Sequence, residues 1–259
     1  MLYKFYAVIL YKGLPIVKHQ LLIVKRFTLL VLLIIIIPGI SWAQNGYTFQ
    51  PFSAGFSTGI TTAYGNTGTT VSKYAFDLNV NYTPTPFFSL SLESQGGALA
   101  GGLLTDYDAR RFSNSFTALI FHADLQAGEL IDYDHSDFLN GIKNFYLGTG
   151  IGILNNDITY IQTIVPVGTS NLTTYPYLKT STNVLVPLRF GYEFKIFNGY
   201  QEPRYRIEAG YSFNTAFGKG LDGYTSLSSV KFYSYLSIGF KIGFGDSYIY
   251  RKPIPYYGF

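Results

Sequence analysis

Eight charged residues share one face of four alternating segments: Lys73, Asp77, Glu93, Arg189, Glu193, Arg204, Arg206 and Glu208. Inside a narrow, low-dielectric space such charges have to be paired, because an unpaired buried charge is strongly disfavoured. Two uses follow from the same inventory, an ion-pair plug or an ion-selective pore or gate. Residues equidistant from the turn between 183–194 and 204–214 place Glu193 near Arg204 or Arg206, and Arg189 near Glu208. His122 and His135 are the only histidines after residue 43. A serine nucleophile needs a base within hydrogen-bond reach. The His-x-Ser-Asn element of a membrane lipid deacylase is absent, since His122 is followed by Ala123-Asp124 and His135 by Ser136-Asp137. Both read as lumen or turn residues. Asp132, Asp134 and Asp137 offer oxygen ligands but lack the spacing and glycine of a calcium loop, so they read as a solvated acidic turn. Gly148-x-Gly150-x-Gly152 is a strand face, because no helix start follows it. No catalytic residue, cofactor or metal is expected.

These side chains must be positioned by strands. Beyond Gln44 the recurring pattern is alternation with period two, the mark of strands whose two faces differ chemically. Tyr74, Phe76, Leu78, Val80 and Tyr82 alternate with Lys73, Ala75, Asp77, Asn79 and Asn81. The same pattern runs through 183–194, 204–214 and 231–244, with weaker copies at 52–64, 87–96, 113–126 and 144–154. At 113–126 the register favours Thr117, Leu119, Phe121, Ala123 and Leu125 on the apolar face, with His122 and Asp124 opposite. Composition agrees: 13% charged and 18% aromatic residues argue against both a disordered chain and a helical bundle.

The start of the chain is different. Lys25-Arg26 precedes an unbroken apolar run from Phe27 to Ile37, then Pro38-Gly39 and the small-residue site Ser41-Trp42-Ala43. That order reads as a secretory signal peptide over 1–43, with translation beginning near Val24. An uncleaved anchor extended back through Leu21 would be interrupted by Lys25-Arg26, and the run is shorter than the roughly 20 residues a spanning helix takes. The leader holds five of the 19 basic residues and no acid, leaving 14 against 15 acidic residues from 44 onward. The basic pI therefore belongs to the leader, and no nucleic-acid partner is expected. There are no cysteines, hence no disulfide framework and no thiol chemistry.

Eight strands with both termini at one end fit a closed antiparallel up-and-down barrel. An eight-stranded barrel has a lumen that side chains just fill. The bulky apolar face therefore looks outward, where only lipid covers it, and the face rich in Gly and Ser looks inward. The expected fold is an all-β, eight-stranded antiparallel transmembrane barrel over 52–244. It has a periplasmic segment at 44–51 and a periplasmic tail at 245–259. Short inner turns fall at 83–86 and 195–203, and outer loops at 65–72, 97–112, 155–182 and 215–229. The inner connection 127–143 is long enough for a short helix at 136–142, with Ser136 as its N-cap.

On the last strand, Ser237-Ile238-Gly239-Phe240-Lys241-Ile242-Gly243-Phe244 resembles the assembly signal of outer-membrane barrels, carried by Ser237, Gly239, Ile242 and Phe244. Residues 52–244 more broadly resemble the eight-stranded, OmpA-type outer-membrane barrels common in Bacteroidetes. The carrying segments are 106–112, 125–134, Phe138-Leu139-Asn140, 146–152, 183–188 and 220–224. The resemblance implies an outer-membrane location, with lipids and the barrel-assembly machinery as partners, and transfers no catalytic residues. The expected role is non-enzymatic, structural or through surface loops whose partner is unknown. The alternative is a narrow channel or small-molecule transporter.

Overall fold

The computed structural model describes residues 47–64, 67, 69–103, 110–133, 136–162, 164–167, 171–174, 176–199, 202–225 and 229–251. The leader reading over 1–43, residues 252–259 of the tail, the 104–109 segment, Asp134 and His135 lie outside them. In chain order, the short β1 (Tyr47–Phe49) is followed by β2 (Phe52–Tyr64), β3 (Thr70–Thr85), β4 (Phe88–Gly101) and β5 (Phe112–Gln126). A 3-10 turn (Ala127–Glu129) and the helix α1 (Asp137–Ile142) precede β6 (Phe145–Ile161). The hairpin β7 (Ile164–Val167) and β8 (Asn171–Thr174) leads to β9 (Thr180–Ile196). Then come β10 (Tyr205–Phe217), β11 (Val230–Phe244) and the short β12 (Tyr248–Tyr250).

The eight long strands close into one antiparallel barrel in the order β10-β11-β2-β3-β4-β5-β6-β9. All are joined to their sequence neighbours except at the closing seam, where β11 pairs with β2. A circuit of paired residues from Lys241 passes Gly55, Asn79, Glu93, Ile120, Gly152, Leu185 and Ala216, and closes on Lys231, ten residues along the same strand. Over eight strands, that stagger implies a tilt of about 40° and a backbone radius of about 8 Å. The alternation read from sequence is realised as inside and outside. On β3, Asp77 is 3% exposed while its neighbour Phe76 is 60% exposed.

The outward side chains form an apolar belt. It runs from Phe244 to Leu236 on β11, from Tyr82 to Tyr74 on β3 and from Phe190 to Val184 on β9, all exposed except the half-buried Phe240. A tilted strand climbs about 2.5 Å per residue, so with the stagger the belt is about 25 Å tall. Beyond it on β5, β6 and β9 the outward row Leu119, Ile153, Val184 gives way to Thr117, Asn155, Thr182 and then Ser115, Asp157, Thr180.

Small inward residues make room for particular partners. Gly210 and Gly191 are paired directly, and a Cβ on either would crowd the Tyr146 hydroxyl. Gly148 leaves space for the Asp124 carboxylate and Gly55 for the Lys241 stem. At the closing seam Gly59 lies so near the Leu236 carbonyl that a side chain there would collide with backbone.

Three features depart from the sequence reading. The flanking segments are not simply a lead-in and a tail, because β1 and β12 pair antiparallel, Tyr47 opposite Tyr250. The 155–182 region is only partly loop: β6 continues to Ile161, β9 begins at Thr180, and a hairpin lies between them. The inner face is not uniformly small and polar either. Its half remote from the termini is packed with Leu99, Phe116, Ile120, Leu154, Leu185 and Tyr233, all fully buried. Eight strands at this radius supply more inward positions than polar pairing can satisfy, and apolar packing fills the rest. The helix lies where expected, with the Ser136 side chain accepting from the Leu139 amide.

Candidate functional site

The half of the lumen nearest the termini holds a cluster of ionised side chains drawn from five strands, β4, β5, β9, β10 and β11. At its centre is Arg189 of β9. Its Nη1 donates to Glu93 Oε2 at 2.8 Å, its Nη2 lies 3.4 Å from Glu208 Oε1, and its Nε lies 3.4 Å from Asp124 Oδ1. Three carboxylates from β4, β5 and β10 thus surround one guanidinium, whose planar fork suits multiple carboxylate contacts. His122 stands between two of them, Nε2 at 3.4 Å from Glu93 and Nδ1 at 3.1 Å from Asp124. The Tyr146 hydroxyl donates to Glu208 Oε1 at 2.6 Å.

Nearer the termini, the register sets Glu208 beside Glu193 and Arg206 beside Lys195. Two adjacent carboxylates persist because Lys241 of β11 reaches both, contacting Glu208 Oε2 and lying 3.7 Å from Glu193 Oε2. Lys195 Nζ donates to Gln126 Oε1 and the Pro86 carbonyl, each at 2.7 Å, and rests 4.7 Å from the Phe87 ring centre. Four carboxylates (Glu93, Asp124, Glu193, Glu208) are thus matched by four cations (Arg189, Arg206, Lys195, Lys241), with His122 between them.

The structure places the eight charges read from sequence unequally. Glu93, Arg189, Glu193, Arg206 and Glu208 meet in the cluster, and Arg189 does approach Glu208. Glu193 makes its ion-pair contacts with Lys241 and Lys195, while the Arg206 guanidinium acts on it electrostatically from beyond ion-pair distance and Arg204 does not take part. The reason is register: β9 runs on to Ile196 and β10 begins only at Tyr205, so the hairpin is centred differently from the symmetric turn assumed. Arg206 is buried but donates to the backbone carbonyls of Gln50 and Pro203. Arg204 precedes β10, is exposed and lies outside the lumen. Asp77 is buried without a cation, accepting from Ser57 Oγ, Asn79 Nδ2 and Tyr235 OH. Lys73 is half-buried towards the other mouth and forms no ion pair with the cluster.

Sequence reasoning missed Lys241 and Lys195 as members, although Lys241 stands on the polar side of its alternating strand. It placed His122 and Asp124 on the inward face without counting them in the network, and it passed over the Lys231–Asp222 pair (2.7 Å) at the far mouth. Of the assembly-signal positions, Ile242 and Phe244 face outward, with Phe244 stacked on Phe52 at 6.2 Å across the closing seam. Gly239 packs against Ser57, and Ser237 is half-buried.

Both ends of the lumen are covered. At the terminal end the Phe87 ring is fully buried, lies 6.4 Å from Tyr250 and 5.4 Å from Tyr133, and fits into the space left by Gly128. Tyr250 donates to Glu129 Oε1 at 2.9 Å, and burial together with that carboxylate pushes its phenol up to about 12. The cavity bounded by Gln126, Glu193, Arg206 and Lys241 measures about 10 Å³, space for no more than about one water. At the other end, residues 218–225 fold over the mouth. Asn114 Nδ2 donates to the Leu221 carbonyl and Asn156 Nδ2 to that of Gly220. Gly220 and Gly223 take φ of +85° and +82°, which only glycine adopts readily. Tyr224, 1% exposed, donates to the Gln162 carbonyl at 2.8 Å.

No family model and no curated protein matches the chain. Among solved structures the chain is similar to Neisserial surface protein A at 15% identity, covering 75% of this chain and 97% of that one with a TM-score of 0.41. It is similar to Ail, the attachment invasion locus protein of Yersinia pestis solved with the heparin analogue sucrose octasulfate, at 10% identity, 77% and 100% coverage and a TM-score of 0.39. It is also similar to the outer membrane protein OprG of Pseudomonas aeruginosa, at 12% identity, 77% and 99% coverage and a TM-score of 0.35.

Proposed function

We propose that this barrel spans the outer membrane with both termini periplasmic, and that it acts without catalysis, as a rigid envelope protein presenting its far loops as an interaction surface. One observation carries the reading: an apolar belt about 25 Å tall encloses a lumen that is closed at both ends. Each large apolar side chain left in water forgoes about 1.5–3 kcal/mol of burial, so a belt of this extent calls for lipid. The barrel leaves no strand edge unpaired along the belt, the condition for β structure within hydrocarbon. Pairing of cations and anions at the terminal end, with packed Phe, Leu and Tyr beyond, favours the plug over the channel or transporter. His122 has carboxylates on both ring nitrogens inside that plug, which suits a structural ion pair and not a base serving a nucleophile. The Gly220–Tyr224 cap, tied to β5 and β6, offers a preorganised platform for the surrounding loops. Lipids and the barrel-assembly machinery complete the proposed partners, the latter reading Ser237, Gly239, Ile242 and Phe244.

The test is conductance together with fractionation. Folded protein should migrate with the outer membrane, shift on a gel when boiled, and show no discrete channel events in a planar bilayer. Steady ion-selective openings would instead support the channel reading, and recovery in the soluble fraction would end both.

A further inference from the structure

Below the belt, on the β5–β6 side, the apolar surface does not stop where the strands do. Leu130, just after the 3-10 turn, is 75% exposed, and Phe138 on α1 is 73% exposed. Neither is a stray side chain on a floppy turn. The Gly128 amide donates to the Lys143 carbonyl and the Leu130 amide to Ala127, while Ser136 caps α1. The connection is therefore held in a defined shape that presents both residues outward.

Its position is fixed by Tyr192. This outward residue of β9 packs on Phe145 at 4.8 Å and Phe194 at 4.5 Å, among the last aromatics of the belt, and donates its hydroxyl to the Gly141 carbonyl at 2.8 Å. The helix consequently lies against the outside of the barrel rim, not beneath the lumen. Six residues are far too few to cross a bilayer, yet a short helix with one apolar side can lie in the interface plane with that side sunk about 5–10 Å. Exposed Phe145, Ile196 and Phe197 continue the apolar surface from the belt towards the helix.

We propose that Leu130 and Phe138 form a foot that docks on the phospholipid surface at the terminal end of the barrel, fixing its depth and tilt; this rests on the membrane reading above. Continuity identifies lipid as the occupant, since the foot extends the surface that lipid must already cover. Its nearby charges are mainly acidic (Glu129, Asp132, Asp137, against Lys143), which suits a zwitterionic headgroup layer better than an anionic one.

Single tryptophans test this, since the one native tryptophan, Trp42, lies in the leader and is replaced (W42F) wherever the leader is retained. F138W and L130W replace exposed side chains and leave the fold undisturbed; L147W places a reporter in the belt on β6. Each is reconstituted in phosphatidylcholine vesicles containing brominated phosphatidylcholine. Expected is quenching of all three. Bromines near the carbonyl end of the chains should act most on F138W and L130W, and deeper bromines most on L147W. If L147W is quenched while F138W and L130W respond only to aqueous iodide, the foot is in water and the proposal fails while the barrel reading stands. Shielding of F138W from both quenchers would mean that protein covers it, which also overturns the lipid assignment. An unquenched L147W would remove the membrane reading and the foot together.

Discussion

Arg189 is held by three carboxylates that reach it from three other strands, and Lys241 is shared between two more contacts of the same kind. Removing the guanidinium leaves Glu93 and Asp124 buried without their principal cation, so Arg189→Ala should destabilise the barrel by about 3–5 kcal/mol. Urea unfolding of the reconstituted protein reads this directly. Arg189→Ala with Glu93→Ala should cost less than the two single changes added, because the pair is lost once and not twice. Lys73→Ala, outside the cluster, should stay within about 0.5 kcal/mol of wild type. Equal, small effects for Arg189 and Lys73 would mean that the lumen charges are hydrated and the plug reading is wrong. Packing can be probed at the same scale. Gly210→Ala crowds the Tyr146 hydroxyl and should cost about 1–3 kcal/mol. Tyr146→Phe in that background should recover part of the loss by vacating the space.

At the scale of elements, the strands differ in how much closeness they demand. The closing seam between β2 and β11 brings Gly59 against the Leu236 backbone, which cannot swing aside as a side chain would. Gly59→Ala should therefore block closure, leaving protein that reaches the periplasm but lacks the heat-modifiable band. Gly239, by contrast, faces the Ser57 side chain, which can rotate, so Gly239→Ala should weaken closure less than Gly59→Ala. A reversed order of the two would show that recognition at the last strand outweighs seam geometry. Gly141 on α1 has open space around its Cα, and Gly141→Ala should be neutral or stabilise the helix by up to about 1 kcal/mol. Hydrogen exchange of the 137–142 amides would report that change.

For the whole molecule, orientation and closure make one connected prediction. Protease added to intact cells should cut between residues 162 and 179, where β6 has ended and β9 has not begun, and should spare 197–204. Cleavage confined to 197–204 would invert the barrel. The same protein should be silent in a planar bilayer at neutral pH, because Phe87 with the β1–β12 ribbon covers one mouth and Leu221 with Tyr224 covers the other. Deleting 219–223 should open only the far mouth. The ionic and apolar layers beneath would still close the lumen, so conductance should remain absent.

Strand positions, their inward and outward faces and the helix capped by Ser136 could be read from the chain alone. They follow from local rules: alternation has period two whatever the partner strand, and a cap acts within one turn. The exterior belt was equally legible, since a small barrel cannot hold bulky side chains from every strand inside. What the tertiary structure decided was who meets whom. Glu93 and Arg189 lie 96 residues apart and touch across the lumen only because the stagger brings β4 and β9 to matching heights. Arg204 fell outside the cluster and Lys241 within it through a small displacement of one hairpin and the reach of one long side chain from β11. The division of the lumen into ionic and apolar halves, the caps at both mouths and the outward foot on α1 arise in the same way. Each is set by distances through space between chemically suitable groups, and sequence spacing carries no measure of those distances.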